Sequence, residues 1–175
     1  RFARELAASG LTIVSGLAQG IDTCCHQGAL EGEGKTYGVL GSGLFEPYPA
    51  MNRLLMQKIE RMGGTVMSEL PLRTKPMAYH FPLRNRIISG LSRGVCVIEA
   101  AESSGSLITA KLALEEGREV YALPGMAGSL TSQGTLKLIQ EGATLIRRPL
   151  DILEDFFPRL QIARDELGPV DLTKQ

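Results

Sequence analysis

The chain has 175 residues, of which 43% are hydrophobic and 22% are charged, as in a soluble globular domain with a sizeable core. No apolar run reaches the roughly 20 residues that span a bilayer, and no signal-peptide pattern is present, so we expect a cytoplasmic protein without membrane contacts. The 19 basic residues are balanced by 19 acidic ones, which confines any site for a polyanion to a local basic patch.

Short segments rich in Val, Leu and Ile alternate with segments of helical periodicity. The predicted strands are residues 11–14, 36–40, 65–68, 95–100, 120–123 and 144–146. The predicted helices are residues 1–9, 20–30, 50–62, 84–93, 107–116 and 134–140. Continuous apolar strands separated by helices predict an extended Rossmann-like α/β fold, doubly wound, with a mainly parallel sheet and helices on both faces.

The domain organisation follows from this alternation. We expect one Rossmann-like domain over residues 1–158 and a polar tail or linker over residues 159–175. A doubly wound fold would place a strand and a turn before the first helix, so an N-terminal strand is expected ahead of residue 1.

The first predicted strand runs into the sequence SGLAQGID, residues 15–22. Small residues let the backbone approach a ligand, and the amides of the next helix point at an anion, so Gly16, Gln19 and Gly20 are candidate binding residues. The alternative is a tight strand-to-helix turn in which Asp22 interacts favourably with the helix dipole.

The three cysteines of the chain do not predict a disulfide framework. Cys24 and Cys25 are adjacent in an apolar helical stretch, and Cys96 lies in a predicted strand. An odd number without a Cys-x-x-Cys pair fits neither disulfides nor a zinc site, so we expect reduced thiols in the core and no metal. For the two histidines, His26 and His80, structural roles are favoured.

A second small-residue loop follows the second predicted strand, and its Gly41, Ser42 and Gly43 are further candidate binding residues. A dinucleotide-binding fingerprint would need a third glycine and an acidic residue that contacts the ribose, and both are absent. There is also no P-loop sequence. NAD binding and nucleoside triphosphate hydrolysis are therefore disfavoured, and no cofactor is expected.

The sequence HFPLRNRIISGLSR, residues 80–93, is the most informative motif. Arg84 and Arg86 flank Asn85, so the two arginines cannot share one face of a regular helix and would fork to either side of its start. Arginine near a helix N-terminus opposes the helix dipole, and a bound phosphate would offset that cost. A solvated surface helix remains the alternative.

A serine-rich loop precedes the next predicted helix. Ser104, Gly105 and Ser106 offer hydroxyls and amides at a helix start, which favours a phosphate site, and Lys111 could reach back toward it. A serine nucleophile is disfavoured because Gly-x-Ser-x-Gly is absent, so no catalytic residue is predicted. A further Gly/Ser loop over residues 124–135 repeats the pattern.

Together these motifs resemble the DNA-processing protein A family (DprA, also called Smf). The matching stretches are residues 15–22, 41–43, 48–52, 81–92, 104–110 and 117–125. The resemblance implies a non-enzymatic domain that binds single-stranded DNA without sequence preference, protects incoming DNA during natural transformation and loads the RecA recombinase. It also implies a homodimer.

The resemblance implies that the candidate residues already named contact the DNA backbone. It implies that DNA faces the Gly16–Gly20 loop, Arg84, Asn85, Arg86, the Ser104–Ser106 loop and Lys111, and His80 is the better DNA-contact candidate of the two histidines. Three family features are missing from the sequence: a Gly-Ser-Arg loop after a first strand, an Asn-Pro-Gly-Ser run within residues 128–135, and a winged-helix domain after residue 175.

Two alternatives belong to other functional classes. One is a nucleoside monophosphate-processing enzyme of the lysine-decarboxylase-like Rossmann type, but residues 124–127 break its Pro-Gly-Gly-x-Gly-Thr motif. The other is a dimeric scaffold whose loops only pack. For DNA binding, the candidate cations are Lys35, Arg73, Lys75, Arg84, Arg86, Arg93 and Lys111. We expect Arg84→Ala or Lys111→Ala to weaken binding with thermal stability nearly unchanged, and a modest dependence on salt.

Overall fold

Helices and strands alternate along the chain in the computed structural model, which describes residues 1–157. The helices are α1 (Phe2–Ala8), α2 (Ile21–Glu31), α3 (Arg53–Arg61), α4 (His80–Gly90), α5 (Gly105–Glu115), α6 (Gln133–Gln140) and α7 (Pro149–Phe156). The strands are β1 (Ile13–Ser15), β2 (Thr36–Val39), β3 (Thr65–Met67), β4 (Gly94–Val97), β5 (Glu119–Ala122) and β6 (Thr144–Leu145). Short 3-10 turns over Ala50–Asn52 and Leu130–Ser132 lead into α3 and α6.

The strands form two parallel three-stranded sheets, ordered β1-β2-β3 and β4-β5-β6. Every ladder is parallel, so the α/β Rossmann-like fold class is confirmed, but the expected continuous sheet is divided. Among the described residues, β1 and β4 each keep one unpaired edge. The expected strand ahead of residue 1 remains a prediction.

A shared hydrophobic cluster joins the two sheets, between which the described residues form no strand pairing. Ile13 of β1 and Cys96 of β4 pack against a cluster that contains Leu6, Tyr121 and Ile146. Helix α1 contributes Leu6 and contacts both α2 and α7. Burial of these side chains, at about 25 cal/mol per Å² of apolar surface, stabilises the arrangement. Each half also has a core of its own, under α3 in the first sheet and under α5 and α6 in the second.

Helix α4 begins at His80, four residues before the predicted start at Arg84. Pro82 is the third residue of the helix, where a backbone N–H would lack an intrahelical acceptor, so proline costs nothing there. The expected tail over residues 159–175 lies outside the described residues, and so does the predicted domain boundary at 158. Among the described helices, none has the length and apolar character required to cross a membrane.

The cysteines are free, as expected, but they are not all in the core. Cys24 is exposed, so its predicted burial is wrong, whereas Cys25 and Cys96 are half-buried. Burial raises the pKa of Cys25 to about 11 and that of Cys96 to about 12, which keeps both thiols protonated and poorly nucleophilic. His26 is fully buried, consistent with its predicted structural role.

Candidate nucleic-acid interface

The first half of α4 lies across the carboxyl ends of strands from both sheets. Arg84 donates through Nη1 to the carbonyl oxygen of Gly16, at 2.8 Å, and to that of Val39. These carbonyls follow β1 and end β2. One residue further along, the Asn85 side chain donates to the carbonyl of Gly105, at 3.4 Å, where α5 begins. Helix α4 therefore brings the loops after β1, β2 and β4 together at the carboxyl ends of the strands, where ligands are expected in this fold. We call this junction of loops the crevice.

The Arg84 guanidinium is buried and satisfied by uncharged acceptors. Only 6% of the residue is exposed, and its Nε donates to the Asn85 side chain at 3.2 Å. Burial lowers the pKa of Arg84, while the nearby Asp22 carboxylate raises it. The alternative of a solvated helix is therefore wrong at this position. The expectation of a side chain that can be removed without loss of stability is also inconsistent with these contacts.

The loop after β1 is closed by an internal anion. Asp22 accepts through Oδ2 from the backbone N–H of Gly16, at 3.0 Å, and from that of Ala18, at 3.2 Å. Asn52 donates to the carbonyl of Leu17, which has a positive φ of 58°. Gly16 is buried, and a Cβ at this position would lie 2.5 Å from Arg84 Nη2. Gly16 is therefore part of a tight strand-to-helix turn, as in the second of the two interpretations, and is not open to a ligand.

The tip of the same loop faces solvent. Gln19 and Gly20 are both exposed, and Gly20 has a φ of 92°, which favours glycine. These two residues remain available for a ligand, in contrast to Gly16.

The loop after β2 packs inside the protein, so its predicted direct contact with a ligand does not agree with its burial. Gly41, Ser42 and Gly43 are all buried. A Cβ on Gly41 would lie 2.7 Å from the Phe81 ring, and one on Gly43 would lie 2.3 Å from the carbonyl oxygens of Pro71 and Leu72. The Ser42 hydroxyl is buried and has no hydrogen-bond partner among the described residues. The glycines serve close packing of this loop against its neighbours.

The start of α5 presents an open, hydroxyl-rich surface. Ser104 is the N-cap: its hydroxyl accepts from Ser106 N–H, at 3.3 Å, and lies 2.8 Å from the Ser106 hydroxyl. Gly105 between them is exposed, and a Cβ there would meet nothing within 4 Å. Lys111 does not reach back to this surface, because its ammonium lies 3.8 Å from Glu115, one turn further along α5.

The candidate cations divide between opposite ends of the strands. Arg73 and Lys75 lie in the loop after β3, and exposed Arg86 on α4 pairs with Glu69 of that loop. The three are on the crevice side, and the Arg73 guanidinium also lies 5.7 Å from the centre of the Phe45 ring. The two remaining candidates outside the helices are Lys35 and Arg93, which precede β2 and β4 and therefore lie at the amino ends, away from the crevice.

Three aromatic residues lie around the start of α4, and one of them, Tyr79, was missed by the sequence analysis. Tyr79 is 60% exposed and contacts His80 edge-on, whereas His80 itself is buried. Tyr48 is 51% exposed, and its ring centre lies 5.6 Å from that of Phe81. Only 5% of the residues are aromatic, yet Tyr48, Tyr79 and Phe81 meet at this position. The Tyr-x-Phe spacing at residues 79–81, next to the arginines, is the signal that could have revealed Tyr79.

The comparisons with known proteins agree with this geometry. Residues 1–157 match the DNA recombination-mediator protein A family. This chain belongs to that family. It is 51% identical over 154 residues to Protein Smf of Escherichia coli K12, covering 88% of this chain and 41% of Smf.

Two solved structures of the DNA recombination-mediator protein A family have the same fold. The DNA processing protein A of Streptococcus pneumoniae is 46% identical, with a TM-score of 0.77 over 86% of this chain and 54% of that one. The Helicobacter pylori protein, described as having a unique single-stranded DNA binding mode, is 31% identical, with a TM-score of 0.81 over 90% of this chain and 71% of that one. The chain thus spans about two fifths of Smf and about half of the pneumococcal protein.

Proposed function

We propose that this chain binds single-stranded DNA through its sugar-phosphate backbone, without sequence preference and without catalysis. The observation that carries the proposal is the convergence of an exposed Gly105 backbone, the Ser104 and Ser106 hydroxyls, and the start of α4 at one crevice. Amides and hydroxyls bind phosphate oxygens but do not read base edges. The description of the Helicobacter pylori relative as a single-stranded DNA binder supports the same ligand.

The cations of the crevice side supply the charge neutralisation. Arg73, Lys75 and Arg86 are exposed, Arg73 lies against the exposed Phe45 ring, and Lys111 can leave its exposed and weak pair with Glu115. Each neutralised phosphate releases counterions, which favours binding at low salt. Buried Arg84 contributes a positive potential beneath the crevice and holds its wall in place.

The exposed rings of Tyr48 and Tyr79 favour single-stranded over double-stranded DNA. A base can stack on an aromatic face only when it has left the duplex, and stacking accepts any base. The proposed ligand therefore combines a backbone held by the loops with bases that lie on the aromatic residues. This division of contacts gives single-strand preference without sequence preference.

The cellular role of the full protein is inferred from its family alone. We propose that the full protein acts in the cytoplasm as a homodimer, protects incoming DNA during natural transformation and loads RecA onto it. Light scattering of the purified protein tests the dimer, and co-purification with RecA tests the contact. A strictly monomeric protein that does not retain RecA would contradict these two parts without affecting DNA binding.

Fluorescence anisotropy with labelled oligonucleotides tests the binding proposal. The protein should bind a poly-dT strand at least tenfold more tightly than a duplex of the same length, and Arg86→Ala should weaken that binding. Arg61→Ala is the matched control, because this exposed arginine ends α3 at the opposite end of the strands. Nucleoside monophosphate hydrolysis is assayed in parallel. Equal affinity for duplex and single strand, or turnover of the monophosphate, would overturn the proposal.

A further inference from the structure

The anion position of the first loop is already filled by the protein. In Gly-rich loops that bind phosphate, backbone N–H groups at the start of a helix face the ligand. Here the N–H groups of Gly16 and Ala18 both donate to one oxygen of Asp22, in the first turn of α2. A carboxylate thus occupies the place that a phosphate oxygen would take.

The carbonyl of the same residue, Gly16, binds a buried positive charge. Gly16 donates its N–H to Asp22 and accepts through its carbonyl from Arg84. Within residues 1–157, Arg84 forms no ion pair within 4.0 Å, and its hydrogen-bond acceptors are uncharged. Asp22 is the nearby carboxylate that acts on its pKa. A carboxylate and a guanidinium therefore bind the N–H and the carbonyl of the same residue, Gly16.

The carboxylate is the more exposed of the two charges, because Asp22 is half-buried whereas Arg84 is buried. A phosphodiester carries one negative charge, whereas a terminal phosphate carries about −1.5 to −2 at neutral pH. Repulsion by a fixed carboxylate grows in proportion to the ligand charge. Loop tip residues Gln19 and Gly20 are exposed beside this carboxylate, so a phosphate bound there would experience it directly.

We propose that Asp22 sets the anion selectivity of the crevice: as an internal anion it disfavours terminal phosphates and leaves the internal phosphodiester as the preferred ligand. The inference rests on the proposed DNA-binding function and names a specificity-determining residue within it. It also explains how a glycine-rich loop of Rossmann type can face a nucleic-acid strand without collecting free nucleotides.

Asp22→Asn tests the proposal, because the asparagine Oδ1 can still accept from both amides while the charge is removed. The assay is competition against a labelled poly-dT strand by 5′-AMP, a monoester, and by the dinucleotide dTpdT, a diester. In Asp22→Asn, competition by dTpdT should improve by roughly twofold and that by 5′-AMP by roughly three- to fourfold, in proportion to the ligand charge. An equal improvement for both competitors, or none, would overturn the selectivity role.

A matched control separates the position of the charge from its loss. Asp151 also accepts from two backbone amides, those of Arg147 at 2.7 Å and Arg148 at 3.1 Å, but beside the edge strand β6. Asp151→Asn should leave both competitors unchanged. A response equal to that of Asp22→Asn would show a general charge effect and contradict the proposal.

Two further measurements keep the test decisive. Asp22→Ser supplies an uncharged acceptor if the asparagine variant does not fold, and it should show the same change in selectivity. The unaltered protein must itself discriminate, so 5′-AMP competing as well as dTpdT would overturn the proposal without any variant. Failure of the unaltered protein to bind poly-dT contradicts the proposed function, whereas normal binding with unchanged selectivity in both variants contradicts only the role of Asp22.

Discussion

The backbone of Gly16 is held at its N–H by a carboxylate and at its carbonyl by a guanidinium. Its N–H donates to Asp22, and its carbonyl accepts from Arg84, which also donates to the carbonyl of Val39. A Cβ on Gly16 would lie 2.5 Å from Arg84 Nη2, so any larger residue here would displace the guanidinium from its acceptors. Arg84 therefore acts first on the stability of the crevice wall and only through it on a ligand.

Arg84→Ala should destabilise the protein by about 2–4 kcal/mol, because it leaves two buried carbonyls without donors and opens a cavity. Urea denaturation measures this difference. Arg86→Ala is the control, since this arginine is exposed and its ion pair with Glu69 contributes less than about 1 kcal/mol. Equal unfolding midpoints for Arg84→Ala and the unaltered protein would contradict the structural role.

Gly105→Ala should separate binding from stability. A Cβ there meets nothing within 4 Å, so stability should stay the same or rise by up to about 1 kcal/mol. Single-strand affinity should fall by about tenfold, because the methyl group keeps a phosphate oxygen from the backbone and a hydrogen bond to a charged group is lost. Calorimetry and anisotropy on the same samples measure both effects.

The control for that variant is Gly90→Ala, at the end of α4 away from the crevice. Its Cβ would have only the Glu116 carboxylate at 3.9 Å, so neither affinity nor folding should suffer. Unchanged DNA affinity in Gly105→Ala would remove the α5 start from the interface.

For single residues, the sequence predicts which ones lie at the site more reliably than it predicts their contacts. Small residues and arginines at strand ends predicted the crevice, and α4 does bring their loops together. The direction of each side chain depends on packing at long sequence separation. Arg84 turns to carbonyls 68 and 45 residues away, which no local pattern encodes. Asp22 as the acceptor of the loop amides was foreseeable only as one of two alternatives.

At the scale of elements, a chain of hydrogen bonds ties α2 to β1 and β2. Thr36 donates its hydroxyl to the carbonyl of Ile13, at 2.8 Å, so it accepts from His26 Nδ1, at 2.7 Å. His26 Nδ1 therefore carries the proton. The other ring nitrogen, Nε2, is buried without a hydrogen-bond partner among the described residues. Protonation of His26 would place an unpaired charge in the core.

Stability should consequently fall as the pH drops from about 6.5 to about 4. Burial lowers the pKa of His26 to about 4; the Asp22 carboxylate and the Ser15 backbone oppose this shift, and Arg84 reinforces it. Between these two pKa values, His26 binds a proton in the unfolded chain but not in the folded protein. The free energy of unfolding therefore falls by on the order of 3 kcal/mol over this window and does not fall further below it.

Urea denaturation at half-unit pH steps checks this expectation against His26→Gln, which cannot titrate. Carboxylates contribute to both proteins, so the difference between the two curves isolates the histidine. Parallel curves from pH 7 to pH 4 would contradict the assignment.

The elements themselves were largely predictable, since buried parallel strands are continuous apolar runs with glycine-rich ends. Two features were not. The start of α4 was placed four residues too late, because its N-cap, Tyr79, forms no side-chain cap hydrogen bond and so leaves no capping signal in the sequence. The split between β1 and β4 depends on backbone pairing across distant parts of the chain, which periodicity does not report.

At the scale of the whole molecule, zero net charge conceals an uneven distribution around the strands. Arg73, Lys75 and Arg86 lie on the crevice side, whereas Lys35 and Arg93 lie at the amino ends. Arg93 is also engaged with the Phe156 ring, at 4.8 Å from its centre. A polyanion that spans the crevice should therefore be neutralised by the first group alone.

Salt titration should separate the two groups of cations. The logarithm of the single-strand binding constant should fall with the logarithm of salt concentration with a slope of about −2 to −3, as for three or four neutralised phosphates. Lys75→Ala and Arg86→Ala should each make the slope shallower by about 0.7, because each removes one phosphate contact. Lys35→Ala and Arg93→Ala remove the same charge from the opposite end and should leave the slope unchanged. If all four variants shift it equally, DNA responds to total charge, and the crevice is not where the strand binds.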